Sequence, residues 1–332
     1  MDFLVFFFFI LAAIVTVFTA MKLSQYADVI SKKSAMGGML VGTILLAGAT
    51  SLPEITTSFS AVIIGNVDIA IGNMLGSNLF NLLIIAVFDL IFRRKQLYHL
   101  VSGSHIYSAI LGLFLMIMVT LALIVKIDST ILGIGVDSLL ILVVYVIGMI
   151  IISQLPSPPA EETADRQLEE PVNKKAVSLK KAVIGFIVAA VIIMAAGSVL
   201  SVAGDRIAII TGLGSSFVGS FLIAATTSLP EAVSVYAAFR LKNPNMAVGS
   251  ILGSNMFNMV ILAVSDAVYQ GGSILADVSR SNLYTAIGIS IMSAVLIWAL
   301  MRKRSVSIGV YSVPSLITVV GYFVVSYLIF IG

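Results

Sequence analysis

Ten stretches of roughly 20 apolar residues, joined by short polar segments, run the length of this chain. A run that long is what a helix needs to cross a lipid hydrocarbon core. The stretches fall at about 3–20, 36–64, 67–91, 105–126, 130–153, 180–202, 212–239, 245–268, 282–301 and 307–331. The second and seventh are long and carry a proline inside. Composition agrees: 59% of residues are hydrophobic and 11% charged, against about a quarter charged in a soluble domain. The expected fold class is therefore an all-α membrane protein with ten transmembrane helices, and the lipid bilayer is its first partner. Met1–Ala20 has no basic residues ahead of its apolar run, which favours a first transmembrane helix over a cleaved signal peptide.

There are no cysteines, which excludes disulfides, thiolate metal sites and cysteine nucleophiles. His99 and His105 sit beside a polar joint and read as interfacial histidines. No nucleophile–base set or phosphate loop is present, so no enzyme activity is expected. Nothing points to nucleic acid or to a resident cofactor. A membrane sensor or scaffold has little support, because no soluble output domain is present. The one substantial hydrophilic stretch, Gln154–Lys175, holds Pro156, Pro158 and Pro159 and an acidic run. It reads as a solvated linker.

The sequence also repeats. A shift of 177 residues aligns Asp28–Ser104 with Asp205–Ser281 without a gap, with about 23 identities over the first 57 positions. Apolar composition cannot supply the polar matches. Thr50-Ser51-Leu52-Pro53-Glu54 meets Thr227-Ser228-Leu229-Pro230-Glu231. Gly76-Ser77-Asn78 with Asn81 meets Gly253-Ser254-Asn255 with Asn258, and Asp89 meets Asp266. The expected organisation is a first five-helix repeat over 1–153, a linker over 154–177 and a second repeat over 178–332. Five crossings per repeat turn the second copy upside down. The loop charges reverse accordingly: Arg93-Arg94-Lys95 aligns with Gln270-Gly271-Gly272, and Ile63 and Gly65 align with Arg240 and Lys242. Roughly 16 Lys and Arg fall on one side against 3 on the other. The positive-inside rule then places both termini outside and the linker in the cytoplasm, in the plasma membrane of the cell. Inverted repeats of this kind hold substrate at the repeat interface near the bilayer midplane in many transporters.

Glu54 and Glu231 fall midway along their spans. An ionised carboxylate in lipid must be paired, protonated or bound to a cation, and no lysine or arginine lies in a span core to pair with it. The flanking residues suit a cation. Pro53 and Pro230 disturb the helix and free carbonyls, and Thr50, Ser51, Thr227 and Ser228 add hydroxyls. Ser77 and Asn81 are four apart, as are Ser254 and Asn258, so each pair shares a helix face. Gly72 and Gly76, and Gly249 and Gly253, give surfaces for close helix packing. Such an all-oxygen set suits hard cations such as Ca²⁺ and Na⁺. The plain reading of Ser, Thr, Gly and Pro, packing and kinking, fits one motif but not two inverted copies each centred on a glutamate. Asp89 and Asp266 lie near helix ends, where an interfacial carboxylate is ordinary; their functional reading is a vestibule that gathers cations.

At these residues the chain resembles the sodium/calcium exchanger family of the Ca²⁺:cation antiporters, as a prokaryotic member. The resemblance covers both repeats, Gly48–Asn81 and Ala225–Asn258, and the ten-helix plan extends it over nearly the whole chain. It implies that Glu54 and Glu231 ligate Ca²⁺, helped by carbonyls near Thr50 and Thr227. It implies Na⁺ sites involving Ala47, Ser51, Ser77, Ala224, Ser228 and Ser254, and a first and sixth helix that slide against the other eight. Some prokaryotic members and the potassium-dependent branch carry an aspartate where this chain has Asn258, so the site holds two formal carboxylates and K⁺ cotransport fits less well. The expected function is exchange of Ca²⁺ for Na⁺ by alternating access. H⁺-coupled Ca²⁺ exchange and a cation channel or uniporter remain as alternatives at this stage. Oligomeric partners are not legible in the sequence.

Overall fold

The structure is a computed structural model that describes residues 2–33, 50–155, 178–240, 244–302 and 307–331. Long apolar runs become helices because a buried or lipid-facing backbone must satisfy its own N–H and C=O groups. In chain order these are α1 (Asp2–Lys33), α2 (Leu52–Ile63), α3 (Val67–Ile91), α4 (His105–Val125), α5 (Val136–Gln154), α6 (Leu179–Thr211), α7 (Ser215–Thr227), α8 (Leu229–Arg240), α9 (Pro244–Val268), α10 (Ser281–Met301) and α11 (Ile308–Ile331). Among the described residues, eight of these helices are long and apolar enough to cross a bilayer singly, and α7 with α8, joined at a 42° bend, makes nine. The first part of the expected second span, residues 36–49 of 36–64, lies outside the described residues, which take it up at Thr50. The linker from residue 156 onward also lies outside them.

Three spans differ from their sequence expectation. The first and sixth were expected at 3–20 and 180–202, but α1 runs 32 residues and α6 33. At 1.5 Å per residue each is about 48–50 Å long, well beyond a hydrocarbon core of about 30 Å. Hydropathy marks only the lipid-embedded part of a helix. Neither run meets a proline at the membrane edge, so the helix continues. It ends in α6 at Gly212, whose φ of +71° suits the left-handed C-cap. The fifth span was expected at 130–153, but its start is a hairpin. Strand β1 (Thr130–Ile131) pairs antiparallel with β2 (Ile134–Gly135), and the helix begins only at Val136. Leu132 and Gly133 both have positive φ (55° and 81°), the two-residue turn that matches strand twist. Apolar residues at a hairpin tip imitate helix in a hydropathy reading.

Burial sorts the helices. In α3 and α9 67% of the most apolar stretch is buried, against at most 39% in any other span made of a single helix. These two pack on each other at the centre; α2, α7, α10 and α11 pack around α3, and α2, α4, α5 and α8 around α9. The outer helices turn large apolar side chains outward, such as Phe3, Phe114, Ile150, Ile187 and Phe323, the surface that lipid covers. α1 and α6 lie against each other, with a small apolar cluster of their own (Ala20, Leu23, Ala27, Ala189, Ile193) separate from the main core. α6 also touches α2 through polar groups. Ser201 Oγ donates to the Thr57 carbonyl at 2.5 Å, and the Ser60 and Ser198 hydroxyls share a bond of 2.8 Å.

The glycine expectation holds for α3. A Cβ on Gly76 would overlap the Ser220 backbone of α7, and one on Gly72 would lie 3.0 Å from the Ser216 carbonyl. At Gly249 it would press on the His105 ring, whereas nothing described lies within 4 Å of it at Gly253. Backbone cannot move aside as a flexible side chain can, so Gly76→Ala is expected to lower the melting temperature of the detergent-purified protein by several degrees. Gly103→Ala, in open space, is expected to leave it unchanged.

Candidate cation site

Both Thr-Ser-Leu-Pro-Glu motifs adopt the same local geometry. Ser51, which opens α2, has φ −90° and ψ 4°; Ser228, which separates α7 from α8, has φ −89° and ψ 2°. This sparsely populated bridge conformation is where many functional residues sit. In the second motif the reason is visible. Pro230 has no N–H to give the Thr226 carbonyl four residues back, and the Thr226 hydroxyl bonds to the Leu222 carbonyl at 2.9 Å. The six residues before the motif's first alanines, Val218–Ile223, are wound as a π-helix, an irregularity frequent at functional sites.

The bends bring Glu54 and Glu231 inside. Each is only 1% exposed, and they lie within electrostatic reach of each other. The motifs interlock: Ser228 Oγ approaches Glu54 Oε1 at 3.5 Å, the outer limit of a hydrogen bond. Thr227 Oγ1 donates to Asn73 Oδ1 at 3.2 Å, and Ser77 shares a 3.4 Å bond with Thr227. Asn73 in turn donates to Ser58 Oγ at 3.0 Å. Glu54 Oε2, both Glu231 oxygens and Ser51 Oγ are buried with no partner among the described residues. The charged residues buried there are Glu54, Asp89, Glu231 and Asp266, with no lysine or arginine among them. Unpaired anionic oxygen at this depth is costly.

Asn81 and Asn258 are fully buried and face the opposite helix. Asn81 Nδ2 donates to Asn255 Oδ1 at 2.9 Å, and Asn258 Nδ2 donates to Asn78 Oδ1 at 2.8 Å. Asn81 Nδ2 also lies 3.5 Å from Ser254 Oγ. Their own Oδ1 atoms have no partner among the described residues. Ala224 is buried in α7, and its carbonyl already takes the Ser228 amide at 3.0 Å and the Thr227 hydroxyl at 3.3 Å. Thr50 is the first described residue of its motif and is half-buried. Ala47 lies outside the described residues. Among those residues no three His, Cys, Asp or Glu cluster as a metal site, so an ion here would meet two carboxylates and neutral oxygens.

Three residues of this network were missed in the sequence reading. Asn78 and Asn255 stood in the repeat as matching letters, although Asn78 and Asn81 are three apart and share a face. Asn73 aligns with Ser250, so a search for identities passes over it.

Asp89 and Asp266 depart from expectation. Neither gathers cations at an interface, since both are fully buried and bonded. Asp266 accepts the Ile274 and Gly135 amides, each at 2.8 Å. Asp89 accepts the Leu97 amide, the equivalent of Ile274 under the 177-residue shift, with the Tyr311 hydroxyl and Ser315 Oγ, the last at 2.5 Å. Each carboxylate ties down the loop after its helix, where amides lack helical partners. Asp266→Ala is therefore expected to cost about 2–4 kcal/mol of stability by orphaning two buried amides. Thermal unfolding should register that loss, while Ca²⁺ affinity measured on the folded fraction stays unchanged.

Comparison with known proteins gives a consistent result. The sodium/calcium exchanger protein family matches residues 4–154 and again 181–331, two stretches offset by 177 residues at both ends. Inner membrane protein YrbG of Escherichia coli is 26% identical over 321 residues, covering 91% of each chain. The crystal structure of the H⁺/Ca²⁺ exchanger CAX superposes with a TM-score of 0.71 at 13% identity, over 98% of this chain and 86% of the other. The sodium-calcium exchanger NCX_Mj superposes with a TM-score of 0.57 at 18% identity, over 98% of both chains. At these identities the structural likeness speaks for the fold alone.

Proposed function

This chain belongs to the sodium/calcium exchanger protein family, and from that premise we propose that it is a secondary antiporter exchanging Ca²⁺ for Na⁺ across the plasma membrane by alternating access. The observation that carries the reading is the pair Glu54 and Glu231. Each is 1% exposed, three of their four oxygens have no partner among the described residues, and no buried cationic side chain accompanies them there. One Ca²⁺ neutralises two carboxylates; so do two Na⁺. A site that crosses a low-dielectric barrier must stay near neutrality. Ca²⁺ and Na⁺ then compete for one set of oxygens, which makes transport an exchange. The ligands assigned to the ions are Glu54 and Glu231 with the oxygens of Ala47, Thr50, Ser51, Ser77, Asn81, Ala224, Thr227, Ser228, Ser254 and Asn258.

The same reading includes the architecture: ten transmembrane helices in two inverted five-helix repeats, 1–153 and 178–332, around a cytoplasmic linker, with both termini outside. Three observations support it. The bridge conformation recurs at Ser51 and Ser228, the asparagine bonds exchange under a 177-residue shift, and the family matches twice with that same offset. α1 and α6, paired through their own apolar cluster, are the elements assigned to slide against the rest.

The test is flux into proteoliposomes with Na⁺, H⁺ or K⁺ gradients imposed in turn. Ca²⁺ uptake should follow an outwardly directed Na⁺ gradient, and Glu54→Gln or Glu231→Gln should abolish it. Uptake driven by H⁺ alone would make protons the coupling ion. Uptake with no counter-ion on the opposite side would mean a channel or uniporter, and full activity in either variant would remove the two-glutamate site.

A further inference from the structure

Asn78 and Asn255 are buried carboxamides that the cation site does not use directly, and their bonding is reciprocal. Asn78 Nδ2 donates to the Asn255 carbonyl at 3.2 Å, and Asn255 Nδ2 to the Asn78 carbonyl at 3.4 Å. Each then offers its Oδ1 to the ligand carboxamide on the opposite helix: Asn78 to Asn258, Asn255 to Asn81.

A carboxamide can present either its oxygen or its NH₂ to a neighbour, whereas a backbone carbonyl can only accept. The orientation of all four side chains is therefore rooted in two main-chain oxygens. The Asn78 carbonyl requires the NH₂ of Asn255, which turns Asn255 Oδ1 toward Asn81. That oxygen requires the NH₂ of Asn81, which leaves Asn81 Oδ1 as the free end. The same chain of requirements runs from the Asn255 carbonyl through Asn78 to Asn258. Turning over any one carboxamide sets oxygen against oxygen in a buried place, with a cost of about 1–3 kcal/mol for each group left unsatisfied. The two free ends are the Oδ1 atoms that have no partner among the described residues.

We propose that Asn78 and Asn255 are positioning residues, each holding the ligand carboxamide of the opposite helix so that Asn258 and Asn81 present oxygen, and never N–H, to a bound Ca²⁺. This rests on reading the Glu54–Glu231 pair as a Ca²⁺ site. The arrangement is crossed: α3 orients the ligand of α9, and α9 orients the ligand of α3. Neither half can set its own carboxamide. The contact also calls for a donor at positions 81 and 258, which an ionised aspartate cannot supply, and so it holds the formal charge of the site at two carboxylates.

Double-mutant cycles on equilibrium Ca²⁺ binding to the purified full chain test the crossing. Asn78→Ala should weaken binding about tenfold, as loss of an outer-shell partner does. In an Asn258→Ala background it should change nothing further, and in an Asn81→Ala background it should cost its full factor. Asn255→Ala should show the opposite pattern. Additive effects for Asn78 with Asn258, or equal coupling of Asn78 to both ligands, would overturn the proposal, since a general packing role has no such preference. If the unsubstituted chain binds no Ca²⁺, the cation-site reading falls and this one with it. If it binds Ca²⁺ and the cycles are additive, only the positioning role falls. Should the alanine variants not fold, ¹³C-asparagine-labelled protein answers by NMR. Ca²⁺ should shift the carboxamide carbons of Asn81 and Asn258 strongly and those of Asn78 and Asn255 weakly; a uniform or reversed response overturns the proposal.

Discussion

Two carboxylates held 1% exposed inside a lipid-facing bundle are the constraint that the rest of this molecule accommodates. Among the described residues, no buried lysine or arginine answers them. The surrounding architecture gathers neutral oxygen about them. Prolines at 53 and 230 open the backbone, bridge-region serines at 51 and 228 turn it, and hydroxyls from one motif reach the glutamate of the other. Each of these features weakens a helix on its own account. On the proposed reading, together they form a place where a hard cation would replace its hydration shell with protein oxygen.

A site assembled from kinked segments needs a rigid mount, and α3 and α9 provide it. They are the most buried spans among the described residues. Their crossing is fixed by carboxamides bonded to carboxamides and to main chain, which specify one geometry more sharply than apolar packing does. Gly72 and Gly76 let α7 approach α3 at backbone distance, which carries Thr227 to Ser77 and Asn73. Farther out, Asp89 and Asp266 anchor the loops that follow these same two helices. α1 and α6 are long and lipid-facing and share a small apolar cluster of their own, while Phe9 and Ala12 of α1 and Leu200, Ala203 and Ile207 of α6 pack into the main core and Ser198 and Ser201 of α6 bond to α2.

Much of this was legible in the sequence because it is written twice. Lipid as solvent gives hydropathy its force, and the motif copies picked out Glu54 and Glu231 without any geometry. Three kinds of feature were not legible. Helix ends beyond the membrane carry no hydropathy signal, so α1 and α6 came out short. The Leu132–Gly133 turn is apolar and imitates helix. Hydrogen-bond direction is invisible to a letter code: Asp89 and Asp266 read as surface acids although each caps buried amides, and Asn78 and Asn255 read as motif spacing although they orient their neighbours. Asn73 shows the limit of repeat logic, since its role depends on an asymmetry between the copies.

On this account charge balance governs the transport cycle: two carboxylates, carboxamides that stay neutral, and an ion load that brings the total near zero. Equilibrium binding of radioactive Ca²⁺ to the detergent-purified chain, titrated with Na⁺ at constant ionic strength, tests that most directly. The account predicts one Ca²⁺ per chain at saturation, displaced completely by Na⁺ with a displacement curve steeper than one Na⁺ per Ca²⁺. Ca²⁺ binding that Na⁺ leaves undiminished, or displacement by a single Na⁺, would contradict it.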